Sequence, residues 1–288
     1  MIPAQFDYLA PATLGEALSL LAQHSDDAKI LAGGHSLIPA MKLRLATPQV
    51  LIDIGRIKDL SYIREEGDQI RIGAMTTHYQ IESSDYLREA CPVLPEAAAQ
   101  IGDVQVRNKG TIGGSLAHSD PAGDWPAIAI ALNAEMVAAS ANGDRVIKVD
   151  DFFVDMLTTA LEPGEILREI RINKPQGRFG HSYMKVPQPA SGFAVVGVAV
   201  NLACDQNGAC TNASIGVTGV ASKAYRAAGV EKSLAGSAFD DQAIASAAAH
   251  AADGVSINGD LYASDEYRRH LVQVYMRRAI ASAASRAK

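Results

Sequence analysis

Apolar positions repeat at helical spacing over residues 13–22, where Leu14, Ala17, Leu18 and Leu21 fall on one face and Thr13 with Glu16 forms a capping box. Such a cap contributes about 1 kcal/mol. Residues 28–31 then read as a short buried strand running into Gly33-Gly34, and residues 50–54 as a second strand after another helical stretch. Together they predict a small βαβ-like unit. From about Ile57 the pattern changes to alternation: residues 62–64 and 69–75 flank a turn at Glu66-Gly67-Asp68, with Ile70 and Ile72 set between polar neighbours. A second hairpin is predicted to turn at Asn142-Gly143, because a type I′ turn needs positive φ at both central residues and Asn and Gly tolerate it best. Between the hairpins lie helical stretches and residues 107–124, which are rich in Gly, Ser and Asp and read as a functional loop.

Residues 165–172 read as a strand closing this second module, and Lys174-Pro175-Gln176-Gly177 as the linker to a third. There, residues 193–202 and 213–220 are β-rich runs joined through Asn207-Gly208, which predicts another antiparallel hairpin. The rest is rich in Ala and helical, ending in a long helix over residues 264–284 with Leu271, Val274, Tyr275 and Ile280 on a core or subunit face. No tandem repeat or low-complexity tract interrupts this order.

A chain of 288 residues with 48% hydrophobic and 20% charged residues can bury a substantial core spread over two or three modules. The net charge of -6 opposes attraction to polyanions, so no nucleic-acid partner is expected. No apolar run approaches the roughly 20 residues of a membrane span, and the first residues lack a signal-peptide pattern. A cytoplasmic location is therefore expected. Cys91, Cys204 and Cys210 are too few and too scattered for an iron–sulfur cluster, and a Cys204–Cys210 disulfide is disfavoured in a reducing compartment.

Two segments share a pattern: Ala32-Gly33-Gly34-His35-Ser36-Leu37 and Ile112-Gly113-Gly114-Ser115-Leu116-Ala117 each place paired glycines before a small hydroxyl residue. Paired glycines permit positive φ and leave no Cβ between a ligand and the main chain, so successive amides can form an anion-binding concavity. A diphosphate is the natural guest. Tight turns without a ligand are the plainer alternative for either segment alone. Neither fits the dinucleotide fingerprint G-x-G-x-x-G or a P-loop, which disfavours nicotinamide-dependent dehydrogenases and nucleoside triphosphatases. His35 and His118 lack partners at ligand spacing, so no metal site is expected. Asp120-Pro121 suits a turn and Asp124 a helix cap or a cofactor hydroxyl, so no catalytic carboxylate pair is expected.

The run Lys29-Ile30-Leu31-Ala32-Gly33-Gly34-His35-Ser36-Leu37-Ile38-Pro39, followed by Thr111-Ile112-Gly113-Gly114-Ser115 and Asp120-Pro121-Ala122-Gly123-Asp124, closely resembles the FAD-binding medium subunit of the carbon monoxide dehydrogenase and xanthine dehydrogenase family. Met75-Thr76-Thr77, Val106-Arg107-Asn108 and Leu161-Glu162-Pro163-Gly164-Glu165 match further landmarks, so that the resemblance covers essentially the whole chain. It implies an α+β fold: two α/β subdomains of the vanillyl-alcohol-oxidase type, residues 1–56 and 57–175, then a three-stranded antiparallel sheet with a helical bundle, residues 176–288.

The resemblance also implies non-covalent FAD, with its diphosphate cradled by Ala32, Gly33, Gly34, His35 and Ser36 and by Thr111, Gly113, Gly114 and Ser115. Lys29, Leu31 and Leu37 flank the first segment, and Asp124, Leu161 and Lys185 match positions that contact the cofactor in relatives. Phe193 stands where some relatives carry an aromatic residue beside the isoalloxazine. Two departures matter. Ser115 stands where Asn is common and offers a hydroxyl in place of the side-chain amide, whereas Phe193 in place of Tyr cannot donate a hydrogen bond. The cysteine insertion of the benzoyl-coenzyme-A reductase branch is missing, which disfavours that branch.

The function implied is an electron relay. A molybdenum cofactor in a large partner subunit oxidises the substrate, iron–sulfur clusters in a small partner subunit carry the electrons, and FAD in this chain passes them on, within a dimer of heterotrimers. The substrate itself, whether carbon monoxide, a purine, an N-heterocycle or an aldehyde, is set in another chain. The competing readings are a free-standing flavin oxidase or dehydrogenase, which usually carries a larger cap domain, and a nucleotide-binding scaffold without redox chemistry.

Overall fold

The computed structural model describes residues 2–287. Its first sheet is parallel, with β1 (Asp7–Leu9) and β2 (Ala28–Leu31) on either side of β3 (Val50–Asp53). Helix α1 (Leu14–His24) begins at Thr13, whose hydroxyl accepts from the Glu16 amide. The Glu16 carboxylate returns to the Ala12 amide at 2.8 Å, one residue before the partner expected of a capping box. Ala17 and Ile52, both fully buried, anchor the core of this unit. Strand β1 left no trace in the pattern because it is three residues long with both faces largely open. The short helix α2 (Leu37–Lys42) follows the Gly33-Gly34 turn.

The second sheet is antiparallel and runs in the order β4 (Ile63–Glu66), β5 (Gln69–Gly73), β10 (Ile166–Asn173), β6 (Glu135–Ser140), β7 (Gly143–Lys148). The expected closing strand, β10, is therefore the centre of the sheet. The first hairpin turns through Gly67, at a φ of +61°. The second differs from expectation. Gly143 pairs with Ser140, so the two loop residues are Ala141 and Asn142, and positive φ is taken by Gly143 alone. The Ser140 hydroxyl closes this turn by donating to the Gly143 carbonyl at 2.9 Å.

Between β5 and β6 come six helices, α3 (His78–Glu82), α4 (Asp85–Ala90), α5 (Val93–Ala98), α6 (Val104–Lys109), α7 (Ile112–His118) and α8 (Asp124–Ala131). Much of residues 107–124, read from composition as a loop, is thus helical. Asp103 caps α6 by accepting from the Val106 amide at 2.9 Å, and Thr111 caps α7 by accepting from the Gly114 amide at 3.1 Å. Those local caps outweigh the low helix propensity of the two glycines. After β7 the chain forms α9 (Val149–Phe152) and the small hairpin β8 (Phe153–Asp155) and β9 (Thr158–Thr159).

The third sheet is antiparallel, in the order β11 (Arg178–Pro187), β12 (Ala194–Cys204), β13 (Cys210–Thr218), β14 (Tyr225–Arg226). Three long strands were expected, and the two-residue β14 is a fourth. Helices α10 (Ala228–Leu234), α11 (Asp241–Ala248) and α12 (Asp265–Arg286) cover the sheet, the last capped by Ser264. Cys204 and Cys210 stand opposite each other on β12 and β13 as free thiols. Among the described residues no helix is long and apolar enough to cross a membrane.

Every residue of α8 is buried, because one side packs in the central core and the other against β12 and β13. Gly216 of β13 makes that approach possible: a Cβ there would lie 2.1 Å from the Ala127 carbonyl oxygen. Arg226 pins the same junction, donating to the Ile130 carbonyl at 3.1 Å and to Asn133 at 2.8 Å. Replacing Gly216 with Ala is expected to lower stability by about 1–3 kcal/mol through overpacking. An unchanged urea midpoint in that variant would show that α8 does not lie against β13.

A cofactor cleft between three modules

A cleft of about 860 Å³ opens where the parallel sheet, the helical segment and the rim of the third sheet meet. Cofactor pockets commonly measure roughly 300–1,000 Å³. Of the residues expected to contact a cofactor, Lys29, Ala32, Gly33, Gly34, His35, Ser36, Leu37, Thr111, Gly113, Gly114, Ser115, Asp124, Leu161 and Phe193 all line it. Leu31 does not. Its side chain turns into a small apolar cluster with Met41 and Leu51. Lys185 does not line it either.

The two Gly-Gly segments touch. A Cβ on Gly33 would sit 2.1 Å from the Lys109 carbonyl oxygen and 2.8 Å from Gly110 Cα, so the first turn lies directly on the backbone that leads into the second. Gly113 is just as crowded, with the Ala74 backbone in the place of its missing Cβ. A bridge between Thr77 and Thr111 holds the same strand end, and the His78 amide donates to the Gly110 carbonyl at 2.9 Å. Positive φ, expected throughout, occurs only at Gly34, at +74°. Gly33 and Gly113 are required by close backbone approach rather than by turn conformation, whereas the missing Cβ of Gly114 faces the side chains of Thr111 and Ala32.

The segments also differ in what they offer a ligand. Among the described residues, the amides of Gly33, Gly34, His35, Ser36 and Leu37 donate to no other group of the chain. The amides of Ile112, Gly113, Gly114 and Ser115 are all engaged, with Thr76, Ala74 and Thr111 as acceptors. The expectation that both segments present free amides is thus corrected: the first turn supplies the donors, and the second supplies a closely fitted wall with the unbonded Ser115 hydroxyl. His35 Nδ1 binds back to the Gly33 carbonyl at 2.9 Å and stiffens the first turn. A concave run of unpaired amides beside a wall lacking Cβ atoms fits a diphosphate.

Asp124 is not the helix cap expected of it. Gly123 is the N-cap, and Asp124 is the first helical residue with a carboxylate that is 5% exposed. Its Oδ1 accepts from the Tyr183 hydroxyl at 2.5 Å and from Lys185 Nζ at 2.9 Å. Lys185 also donates to the carbonyls of Gln100 at 2.7 Å and Gly192 at 2.8 Å, which is why its ammonium lies behind the cleft wall. Burial pushes the Asp124 carboxyl above its ordinary range, while the Lys185 ammonium and the Tyr183 hydroxyl pull it down. Burial, then the facing carboxylate, drives the Tyr183 hydroxyl well above its usual range. Through Gly192 the same lysine holds the rim loop that carries Ser191 and Phe193, the latter 43% exposed.

His118 lines the cleft at the end of α7, and Asp120 accepts from the Ala122 amide at 2.8 Å in the turn its Asp-Pro pair suggests. With Asp120 in a turn and Asp124 in an ion pair, the two do not form an acid–base couple. Sequence reasoning missed His78, which lines the cleft at only 4% exposure and accepts from the Trp125 indole at 3.0 Å. Burial, and then the neighbouring His35 and Arg107, lower its imidazole to about 4. The nearby landmark Met75-Thr76-Thr77 marks the helix start, yet nothing in it says which side chain turns inward.

Comparison with known proteins matches the chain in two parts. Residues 4–175 match the FAD binding domain in molybdopterin dehydrogenase, and residues 181–283 match the CO dehydrogenase flavoprotein C-terminal domain. The carbon monoxide dehydrogenase medium chain of Afipia carboxidovorans is 41% identical, with 100% of each chain covered. A solved carbon monoxide dehydrogenase from Hydrogenophaga pseudoflava superposes with a TM-score of 0.97 at 42% identity over 100% of both chains. Quinoline 2-oxidoreductase from Pseudomonas putida 86 superposes at 0.93 and 33% identity, covering 100% of this chain and 99% of that one.

Two expectations follow from the buried groups. Lys185→Met strands the Asp124 carboxylate and is expected to lower stability by about 3–5 kcal/mol, with Asp124→Asn in addition recovering most of it; urea unfolding of the single and double variants measures both. The second concerns pH. Burial, and then Arg286, lowers His181 to about 4, as burial lowers His78. Between pH 6.5 and 4 the unfolded chain then binds protons that the folded chain refuses. Stability is fully present above about pH 6.5 and falls through this window, with a slope approaching about 2 kcal/mol per pH unit near pH 5. Equal unfolding free energies at pH 7 and pH 5 would show that these imidazoles are open to water.

Proposed function

The chain belongs to the family of FAD-binding subunits of molybdopterin dehydrogenases, and on that premise we propose that it holds FAD non-covalently in this cleft as the electron-relay subunit of a molybdenum hydroxylase. The observation that carries the reading is the turn of five unpaired amides, Gly33 to Leu37, pressed against the second Gly-Gly segment. Electrons arrive from iron–sulfur clusters of a small partner subunit, after substrate is oxidised at a molybdenum cofactor in a large one, and leave to an external acceptor. Two such heterotrimers pair in the assembly. The relay module comprises two subdomains of the vanillyl-alcohol-oxidase type, residues 1–56 and 57–175, and a flavoprotein C-terminal domain, residues 176–288.

Bound flavin supplies the ability to take electrons singly and release them in pairs. The residues of this chain bind and orient it. The free amides of the first turn hold the diphosphate, each such charge-assisted bond contributing roughly 1.5–3 kcal/mol. A few of them reach the roughly 8 kcal/mol of micromolar affinity. The hydroxyls of Ser36 and Ser115 add donors that need not carry charge, and the exposed Lys29 draws an anionic ligand toward the mouth. Leu37 and Leu161 provide apolar wall. Phe193 covers the rim without donating a hydrogen bond. Asp124 lines the cleft, and its partner Lys185 sets the position of that rim through Gly192.

Purified chain is expected to bind FAD and to release it intact on denaturation. Gly33→Ala is expected to weaken FAD at least about tenfold, because its methyl meets fixed backbone and parts the two segments. Gly114→Ala is expected to do less, since the atom it meets first, the Thr111 hydroxyl at 2.7 Å, can rotate. Flavin fluorescence titration measures all three. A colourless protein that binds no FAD would overturn the reading, and equal affinities in the two variants would overturn the role given to Gly33.

A further inference from the structure

His78 is a buried polar side chain with one ring nitrogen accounted for. The Trp125 indole can only donate, so at 3.0 Å it requires His78 Nδ1 to accept, which places the proton of the neutral ring on Nε2. That Nε2–H has no acceptor among the described residues. It lies beside Gly110, where a Cβ would approach it to 2.7 Å, and Gly110 in turn lies against Gly33. The imidazole is therefore held directly behind the contact between the two glycine segments, on the cleft wall, with a donor to spare.

We propose that His78 is a cofactor-positioning residue that donates a hydrogen bond from Nε2 to a phosphoryl oxygen at the diphosphate end of the cleft, in a tautomer fixed by Trp125. This rests on the reading of the cleft as an FAD site and adds to it one side chain and its protonation state. A neutral donor suits the position. A second proton on Nδ1 would face the indole N–H, and the Arg107 guanidinium, paired with Glu82 at 2.7 Å, already opposes it. The ring thus contributes a hydrogen bond without contributing a charge that changes with pH. In the free protein the same nitrogen is left to water in the cleft, so the interaction is realised only when an anion arrives.

The test compares two substitutions in the full-length chain, titrated with FAD and with ADP, which carries the diphosphate but no flavin. His78→Asn keeps an acceptor for Trp125 but has nothing at the Nε2 position; it is expected to weaken both ligands by about tenfold to a hundredfold. His78→Gln restores a donor near that position and is expected to bind both within about threefold of the parent chain, although it leaves the indole unpaired and melts at a lower temperature. In the parent chain, FAD affinity is expected to stay level between pH 5.5 and 8, while Trp125→Phe, which frees Nδ1 to take a proton, makes it rise as pH falls. Long-range 1H–15N spectra should show the Nε2–H tautomer with its resonance shifted by ADP. Unchanged affinities in His78→Asn, or an Nδ1–H tautomer, overturn the proposal while the FAD reading stands. If the parent chain itself binds neither ligand, the reading beneath it falls instead.

Discussion

Everything about the cleft depends on a contact in which no side chain takes part. Gly33 rests on the Lys109 carbonyl and Gly110, and a single methyl at Gly33 would have to occupy space already filled by backbone. Because both partners are main chain, neither can step aside by changing a rotamer, and the separation of the two segments is set by atomic radii alone. One module contributes a turn whose amides remain free; the other contributes a helix start whose amides are spent on its own cap and on the Ala74 strand end. The asymmetry follows from what each segment is attached to. The first leaves a parallel strand and turns before α2, with no neighbour to accept its N–H groups, whereas the second begins a helix and satisfies them at once.

The third module acts on the same place from the other side. Pro121 and Gly123, which lead into α8, are held by the Thr218 hydroxyl at 2.8 Å each, and the Gly219 amide donates to Pro121 at 2.7 Å. Asp124, at the start of that helix, is fixed by Tyr183 and Lys185 of β11. A buried ion pair of this kind adds little net stability once desolvation is counted, but its directional bonds allow few alternative arrangements. Here they fix the rim loop relative to the helix that ends at the cleft wall. The module therefore completes the site while supplying few of the groups that face it.

Much of the local structure was legible because it is governed by neighbours in sequence. The Thr13 cap, the apolar face of α1, the strands leading into and following the first glycine turn, and the long terminal helix from Asp265 all obey short-range rules. The readings that failed share a cause. Residues 107–124 were read as loop from their composition, yet Asp103 and Thr111 cap helices there, and burial against Ala74 rewards the glycines. Asn142-Gly143 has the composition of a type I′ turn, but the strand register shifts the loop by one residue. Strand register is set by pairing across the sheet, which the turn residues do not determine by themselves.

By itself the sequence determined which two glycine segments would meet on one cleft, since paired glycines, small hydroxyls and their order along the chain are matters of residue type. It could not say why each glycine is there, because Gly33 and Gly113 are explained by backbone from distant segments, Gly114 by the side chains of Thr111 and Ala32, and only Gly34 by its own φ. Nor could it show that Leu31 turns away, that Lys185 is occupied by Asp124, or that His78 reaches the wall. Those outcomes depend on which atoms meet after three modules have packed. Local propensity sets each element, but whether an amide, an ammonium or an imidazole is left free for a ligand is decided by the partners that folding brings to it.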